Sequence, residues 1–207
     1  MLKDKKLICI IGRTGSGKDT VAKWLQKEKK LKPVVSYTTR PKRENETDGV
    51  EHYFISEDEF TELMNTKEIA AYTKIEDPSK GVKGYECCAT TEEVLNSDIY
   101  LIDPIGLKRL KDWLADKDIT LIELYISVPE EIRRQRIIDS GRGEKALEEF
   151  EIRNANEDLQ FREYEEENND FSYGTVNDGI HYWISNNDGL DDLIFKVKLV
   201  YTRIKFE

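Results

Sequence analysis

Gly12, Gly17 and Lys18 stand at the spacing of a phosphate-binding loop: a glycine, four residues, then Gly-Lys. The segment reads GRTGSGKDT, from Gly12 to Thr20. In such a loop the backbone N–H groups, here from Gly12, Thr14, Gly15, Ser16, Gly17 and Lys18, converge on phosphate oxygens. The lysine adds a point charge. The next position normally gives a hydroxyl to Mg²⁺, but this chain has Asp19, with Thr20 one place later. A carboxylate about 5 Å from a phosphate charge is repelled by roughly 3 kcal/mol at an effective dielectric of 20. That cost falls away if Mg²⁺ lies between them, or if the side chain turns outward in the first helical turn. Asp19 or Thr20 is therefore the candidate metal ligand, and the loop reads as a working variant.

A second constellation lies in SYTTRPKRENETDGVEHYFIS, Ser36 to Ser56. It sets Arg40 and Arg43 three residues apart, stiffened by Pro41. Guanidinium forks grip phosphate oxygens bidentately. Further arginines fall at 133, 134, 136, 142 and 153. Arg133 and Arg134 read as a solvated helix face.

The elements that must position these residues follow from the apolar pattern. LICII (7–11) is a short all-apolar run, as in a strand buried on both faces, and it leads straight into the glycine loop. Val21, Ala22, Trp24 and Leu25 share one helical face after it. VVSY (34–37), DIYLID (98–103), ITLIELYIS (119–127) and HYWIS (181–185) read as further strands. Leu107, Leu110 and Leu114 fall at helical spacing, Pro129 opens a helix, and Leu190, Leu193, Ile194, Val197 and Tyr201 stripe the last one. Alternating strands and helices imply an α/β fold with a mostly parallel sheet covered on both faces. Residues 37–89, with a Ser56/Glu59 capping box, and the charged helical stretch 129–168, broken by SGRGE, read as two inserts. REYEEENND (162–170) reads as an exposed acidic patch.

The chain has 207 residues and a net charge of −10, which argues against a general nucleic-acid binder. Local arginines in an acidic protein suit a small anionic ligand. No apolar run approaches the roughly 18 residues of a membrane span, and the start does not read as a signal peptide. The expected location is cytoplasmic. Three cysteines give no disulfide framework; Cys9 reads as core, and Cys87-Cys88 lacks zinc spacing. Two histidines exclude a histidine-rich metal site.

The segment from Ser36 resembles the acceptor motif of the guanylate kinases, roughly Ser-x-T-T-R-x-x-R-x-x-E-x-x-G-x-x-Y-x-F. Ser36, Thr38, Thr39, Arg40, Arg43, Glu46, Gly49 and Phe54 are in register. The likeness continues in YLIDPIG, GRGEKALEEFEIR and SNNDGLDDL, and so spans nearly the whole chain. It implies a P-loop three-layer core (1–36, 90–128 and 169–207), a monophosphate-binding insert (37–89) and a helical lid (129–168). It implies phosphoryl transfer from ATP, with Mg²⁺, to GMP or dGMP. Arg40 and Arg43 would hold the acceptor phosphate, Ser36 and Asp103 would face guanine, and Arg142 and Arg153 would close on the moving phosphoryl. Asn187 would lie near the adenine of ATP. Lys18, Arg40, Arg142 and Arg153 would supply the catalytic charge.

Three positions depart from the family. Its phosphate-binding tyrosine falls on His52. Its second such tyrosine falls near Cys88 or Tyr85, of which Tyr85 is preferred. Its guanine-reading glutamate falls on Ala71, leaving Asp103, with Glu76 or Glu86 as replacements. Two other readings stay open: a kinase for another (deoxy)nucleoside monophosphate or a ribose phosphate, and an inactive family-like module that binds a protein partner.

Overall fold

The computed structural model describes residues 5–77, 82–141, 143–167, 174–176 and 179–206. Its centre is a five-stranded sheet in the order β6-β1-β7-β9-β8. These strands are β1 (Lys5–Ile11), β6 (Ile99–Leu101), β7 (Ile119–Ser127), β8 (Gly174–Val176) and β9 (Gly179–Ser185). β1 runs parallel to β6 and β7, and β7 parallel to β9; β8 alone is antiparallel.

The period-two alternation of strand side chains splits the core in two. Leu7, Cys9 and Ile11 pack with Leu107, Leu110 and Leu114 of α4 (Pro104–Leu114) and with Phe161 and Tyr164 of α6 (Glu144–Glu167). Ile8 and Ile10 pack on the other face with Val21, Ala22 and Leu25 of α1 (Lys18–Lys29) and with Leu193, Val197 and Val200 of α7 (Leu190–Phe206). Burying each leucine, isoleucine, valine or phenylalanine among them is worth about 1.5–3 kcal/mol. This double coverage is why LICII carries no polar residue: both faces of β1 are interior. The result is the three-layer α/β arrangement.

A second sheet is built between residues 36 and 90. Its order is β3-β2-β5-β4, from β2 (Ser36–Thr38), β3 (His52–Phe54), β4 (Ile69–Asp77) and β5 (Val82–Thr90). Between β3 and β4 lies α2 (Glu57–Thr66), opened by the reciprocal Ser56/Glu59 capping box. Ala70, Ala71 and Ala89 of this sheet join the α4 side of the core. After it come α3 (Thr91–Leu95) and β6, and after β7 comes α5 (Glu130–Asp139). Among the described residues, no helix is long and apolar enough to cross a membrane.

Two expectations are revised. Arg133 is 2% exposed, not solvated; Arg134 does sit at the surface, with Glu151. The described part of the acidic 162–170 stretch is not wholly exposed either. Tyr164 is core, and Glu165 is half-buried, forking Arg13 with both oxygens at 2.9 Å and accepting from Tyr125. Charged residues on an amphipathic helix go inside when an opposite charge waits there, and sequence spacing does not display that partner.

Candidate active site

The phosphate loop leaves the end of β1 and turns into α1. Gly17 is the helix N-cap at φ 95°, and a side chain there would strike Asn186 Nδ2 at 2.7 Å, so the position calls for glycine. The outward carbonyls of the loop are each claimed by a side chain. Arg133 donates to Thr14 O at 3.1 Å, Arg136 to Gly15 O at 3.3 Å, and Asn186 Nδ2 to Ser16 O at 2.8 Å. Two amides expected to face phosphate are instead bonded within the chain: Thr14 N to the Glu157 carboxylate at 2.8 and 3.0 Å, and Ser16 N to Arg13 O at 3.0 Å. Among the described contacts, the amides of Gly15, Gly17, Lys18, Asp19 and Thr20 have no protein acceptor. These donors at a helix N-terminus make an anion site. Lys18 is half-buried and unpaired among the described residues. Gly12 and Ser16 are buried, while Asp19 and Thr20 are exposed in the first turn of α1.

The other carbonyl partners were not legible as site residues. Arg133 donates Nε to Val128 O at 3.2 Å and lies over Phe150. Arg136 also donates to Asn186 O at 2.7 Å. Asn187, expected near the nucleotide base, is exposed; the neighbouring Asn186 is the buried one that touches the loop. A pair of adjacent asparagines does not reveal which one faces in.

A second cluster gathers on one face of the smaller sheet. Arg40 grips Glu46 with two bonds of 2.6 and 2.7 Å and lies over the Phe54 ring. Arg43 offers its amide to Glu46 at 2.9 Å, while its exposed guanidinium reaches the same carboxylate at 3.4 Å. Burial raises the Glu46 pKa, but the Arg40 fork and the Arg43 amide outweigh it and hold the carboxyl at about 2. One carboxylate facing two guanidinium groups leaves the cluster net positive.

Ser36 Oγ lies 2.9 Å from His52 Nδ1, fixed by the parallel β2/β3 register that pairs the two residues. Burial, then Arg40, lowers the His52 pKa below the usual imidazole value. Burial raises the Tyr85 phenol to about 12, with Arg40 and Arg43 pulling it down and Asp103 pushing it up. Asp103 caps α4 through Gly106 N at 2.9 Å and accepts from Thr73 Oγ1 at 2.9 and 3.0 Å. Gly106 permits that approach, since a Cβ there would meet Thr73 Oγ1 at 2.8 Å. Burial of the carboxyl raises its pKa, only partly offset by these bonds.

The register of β4 and β5 also settles which way the suggested replacement for the missing glutamate points. Thr73 pairs Cys87 and Ile75 pairs Tyr85, so Ala71, Thr73, Tyr85 and Cys87 share the Asp103 face. Glu86 is on the opposite face, where it accepts from Tyr72 at 2.5 Å. Glu86 is thus no substitute, and the Glu76 side chain lies outside the described residues, as does Arg142. Thr73, which the sequence reading passed over, is the polar group beside Asp103.

The two clusters meet through the main sheet. Ile10 of β1 pairs Leu101 of β6, so the loop and Asp103 leave adjacent parallel strands at the same end. Neighbouring strands lie on the order of 5 Å apart. Arg153 sits half-buried on α6, with no hydrogen bond or ion pair among the described residues.

A three-layer sheet carrying this loop and a facing arginine pocket defines a P-loop kinase. The guanylate kinase family model matches residues 4–197. Similar proteins include the guanylate kinase of Clostridioides difficile, 33% identical over 156 residues, covering 73% of this chain and 72% of that one. The guanylate kinase of Caldanaerobacter subterraneus is 31% identical over 183 residues, covering 86% and 82%. The crystal structure of guanylate kinase from Anaplasma phagocytophilum matches the fold with a TM-score of 0.58 at 16% identity, over 98% of this chain and 86% of that one. The chain belongs to the guanylate kinase family.

Proposed function

We propose that this chain transfers the terminal phosphoryl group of ATP to GMP or dGMP, giving ADP and GDP or dGDP. The observation that supports it most is the pairing of β1 with β6. It sets an amide-lined anion loop beside a pocket holding two arginines, an imidazole, a phenol and a carboxylate.

The Gly12–Thr20 loop holds the ATP phosphates, with Lys18 spreading its charge over them; Asn187 lies toward adenine. Arg40, Arg43, His52 and Tyr85 hold the acceptor phosphate. Asp103 and Ser36 read the base: the guanine edge offers N–H donors and a carbonyl, which a carboxylate and a hydroxyl match. An acceptor phosphate is largely dianionic at neutral pH, with a second pKa near 6, and needs no general base. The residues therefore align two anions and neutralise the moving charge. Residues 37–89 form the monophosphate-binding insert and 129–168 the lid, whose Arg142 and Arg153 complete the neutralisation.

Mg²⁺ fits the donor set through Asp19 or Thr20, both exposed in the first turn of α1 beside Lys18. Among the described residues, no group of three or more His, Cys, Asp or Glu could hold a metal ion. When bound, Mg²⁺ would supply positive charge that offsets the negative charge of the phosphates. The chain is expected to work in the cytoplasm, on small nucleotides rather than nucleic acid.

Purified protein given ATP, Mg²⁺ and a panel of monophosphates tests the assignment. GMP or dGMP should be the best acceptor, and Lys18→Ala should lose at least a hundredfold in kcat. Preference for AMP, UMP or a ribose phosphate overturns the acceptor assignment. Absence of ATP turnover in the folded protein overturns the activity.

A further inference from the structure

Glu157 of α6 is out of place by charge alone. Its carboxylate sits on the phosphate loop, accepting from Thr14 N at 2.8 and 3.0 Å and from Thr14 Oγ1 at 2.6 Å. A bound phosphate would repel it at short range. Yet the contact is well supported. The Arg133 guanidinium bonds Thr14 O, and while burial lowers its pKa, the Glu157 charge opposes that fall. Next in the loop, Arg13 forks Glu165 and pairs with Asp158, both on the same helix. Thr14 is thus held at its amide by α6 and at its carbonyl by α5.

Glu149, Arg153 and Glu157 recur every four residues, so they line one face of α6. The rise between successive members is about 6 Å. At one end of the row Glu157 grips the loop. At the other stands Glu149: burial, then Arg40, lowers the Arg43 pKa, and the Glu149 charge is among those that partly offset the fall. Arg153 lies between them, unpaired among the described residues.

We infer that Glu157 is a positioning residue, which docks α6 on Thr14 and so sets Arg153 between the phosphate loop and the Arg40/Arg43 pocket. The inference rests on the reading of Arg153 as a lid arginine. It adds the device that aims that arginine, a contact from α6 onto the phosphate loop at Thr14. Glu157 acts through Arg153 and does not touch the reacting phosphoryl.

A kinetic double-mutant cycle with Glu157→Ala and Arg153→Ala tests it, with ATP and GMP varied separately and thermal melts run alongside. Glu157→Ala should lower kcat roughly tenfold while moving KM for ATP less than threefold. In the Arg153→Ala background the same change should cost less than twofold. Glu157→Gln, whose amide oxygen still accepts from Thr14, should recover most of the loss. If the alanine chain does not fold, Glu157→Asp runs the same cycle. Multiplicative losses overturn the inference, as does a lowered melting temperature with kcat unchanged. A gain in ATP affinity with faster turnover overturns it too, making Glu157 a competitor of the nucleotide. Full activity in Arg153→Ala alone overturns instead the lid reading on which the inference stands.

Discussion

Thr73 gives its hydroxyl hydrogen to Asp103, with the carboxylate oxygens 2.9 and 3.0 Å away across the join between β4 and α4. A half-buried carboxylate held this way has a restricted direction in which to accept. Its partner stands two residues along from Ala71, on the same strand face.

Asp103→Asn should therefore separate binding from stability. The folded-state pKa is raised by burial, so ionisation costs the folded chain stability at all pH above the unfolded value near 3.9. The amide removes that cost and still accepts from Gly106 N. The variant should melt higher than the parent at pH 7, with the gap closing toward pH 3.5, while KM for GMP rises at least tenfold. Scanning calorimetry across pH and steady-state kinetics read both effects.

His52 should take up a proton when the acceptor binds. Free, it is held below the usual imidazole range by burial and by Arg40. The unfolded chain then binds that proton more readily. Its stability contribution is complete above about pH 6.5 and declines as acid is added. A phosphate dianion beside the ring reverses the bias. Calorimetric titration with GMP at pH 6, in buffers of different ionisation heats, should show more proton uptake by the parent than by His52→Phe. Equal uptake by the two would refute the contact.

Glu46 should matter to the acceptor and to acid tolerance together. Its carboxyl, held at about 2, supports the fold above its unfolded value near 4.3, and that support fades as pH falls through 2. Glu46→Ala should lack the loss of stability seen in the parent across that window. Without the fork the two guanidinium groups repel, and KM for GMP should rise roughly tenfold with kcat changed less than threefold. Acid-unfolding curves and initial rates check the pair of effects.

Arg133→Met keeps the stem volume but strands Val128 O and Thr14 O. Each unpaired carbonyl costs about 1–3 kcal/mol. The urea midpoint should fall accordingly, and KM for ATP should rise severalfold because Thr14 loses its outer anchor. A midpoint equal to that of the parent would show that the carbonyls find other donors.

The fold was legible wherever a local rule sufficed. LICII announced a two-sided strand because no polar residue can survive there, and Ser56 with Glu59 announced a helix start. That Arg40 and Arg43 stand close together was legible from spacing beside a proline, and both engage Glu46. What escaped were long-range pairings. Arg133 and Glu165 look like surface charges until α5 and α6 fold back on the loop. Thr73 needs the β4/β5 register before it faces Asp103, and the same register turns Glu86 away. Asn186 and Asn187 differ only in which one the end of β9 turns inward.

The carbonyls of Thr14, Gly15 and Ser16 are bonded by the chain's own side chains, those of Arg133, Arg136 and Asn186. The Gly15 and Gly17 amides therefore need no swivelling on encounter, although Thr14 N is held by Glu157, and the loop need not wait for a whole nucleotide before it grips. Inorganic phosphate and sulfate should dwell there as well. Assays run in phosphate buffer, or on protein carried over from ammonium sulfate, will then understate the affinity for ATP.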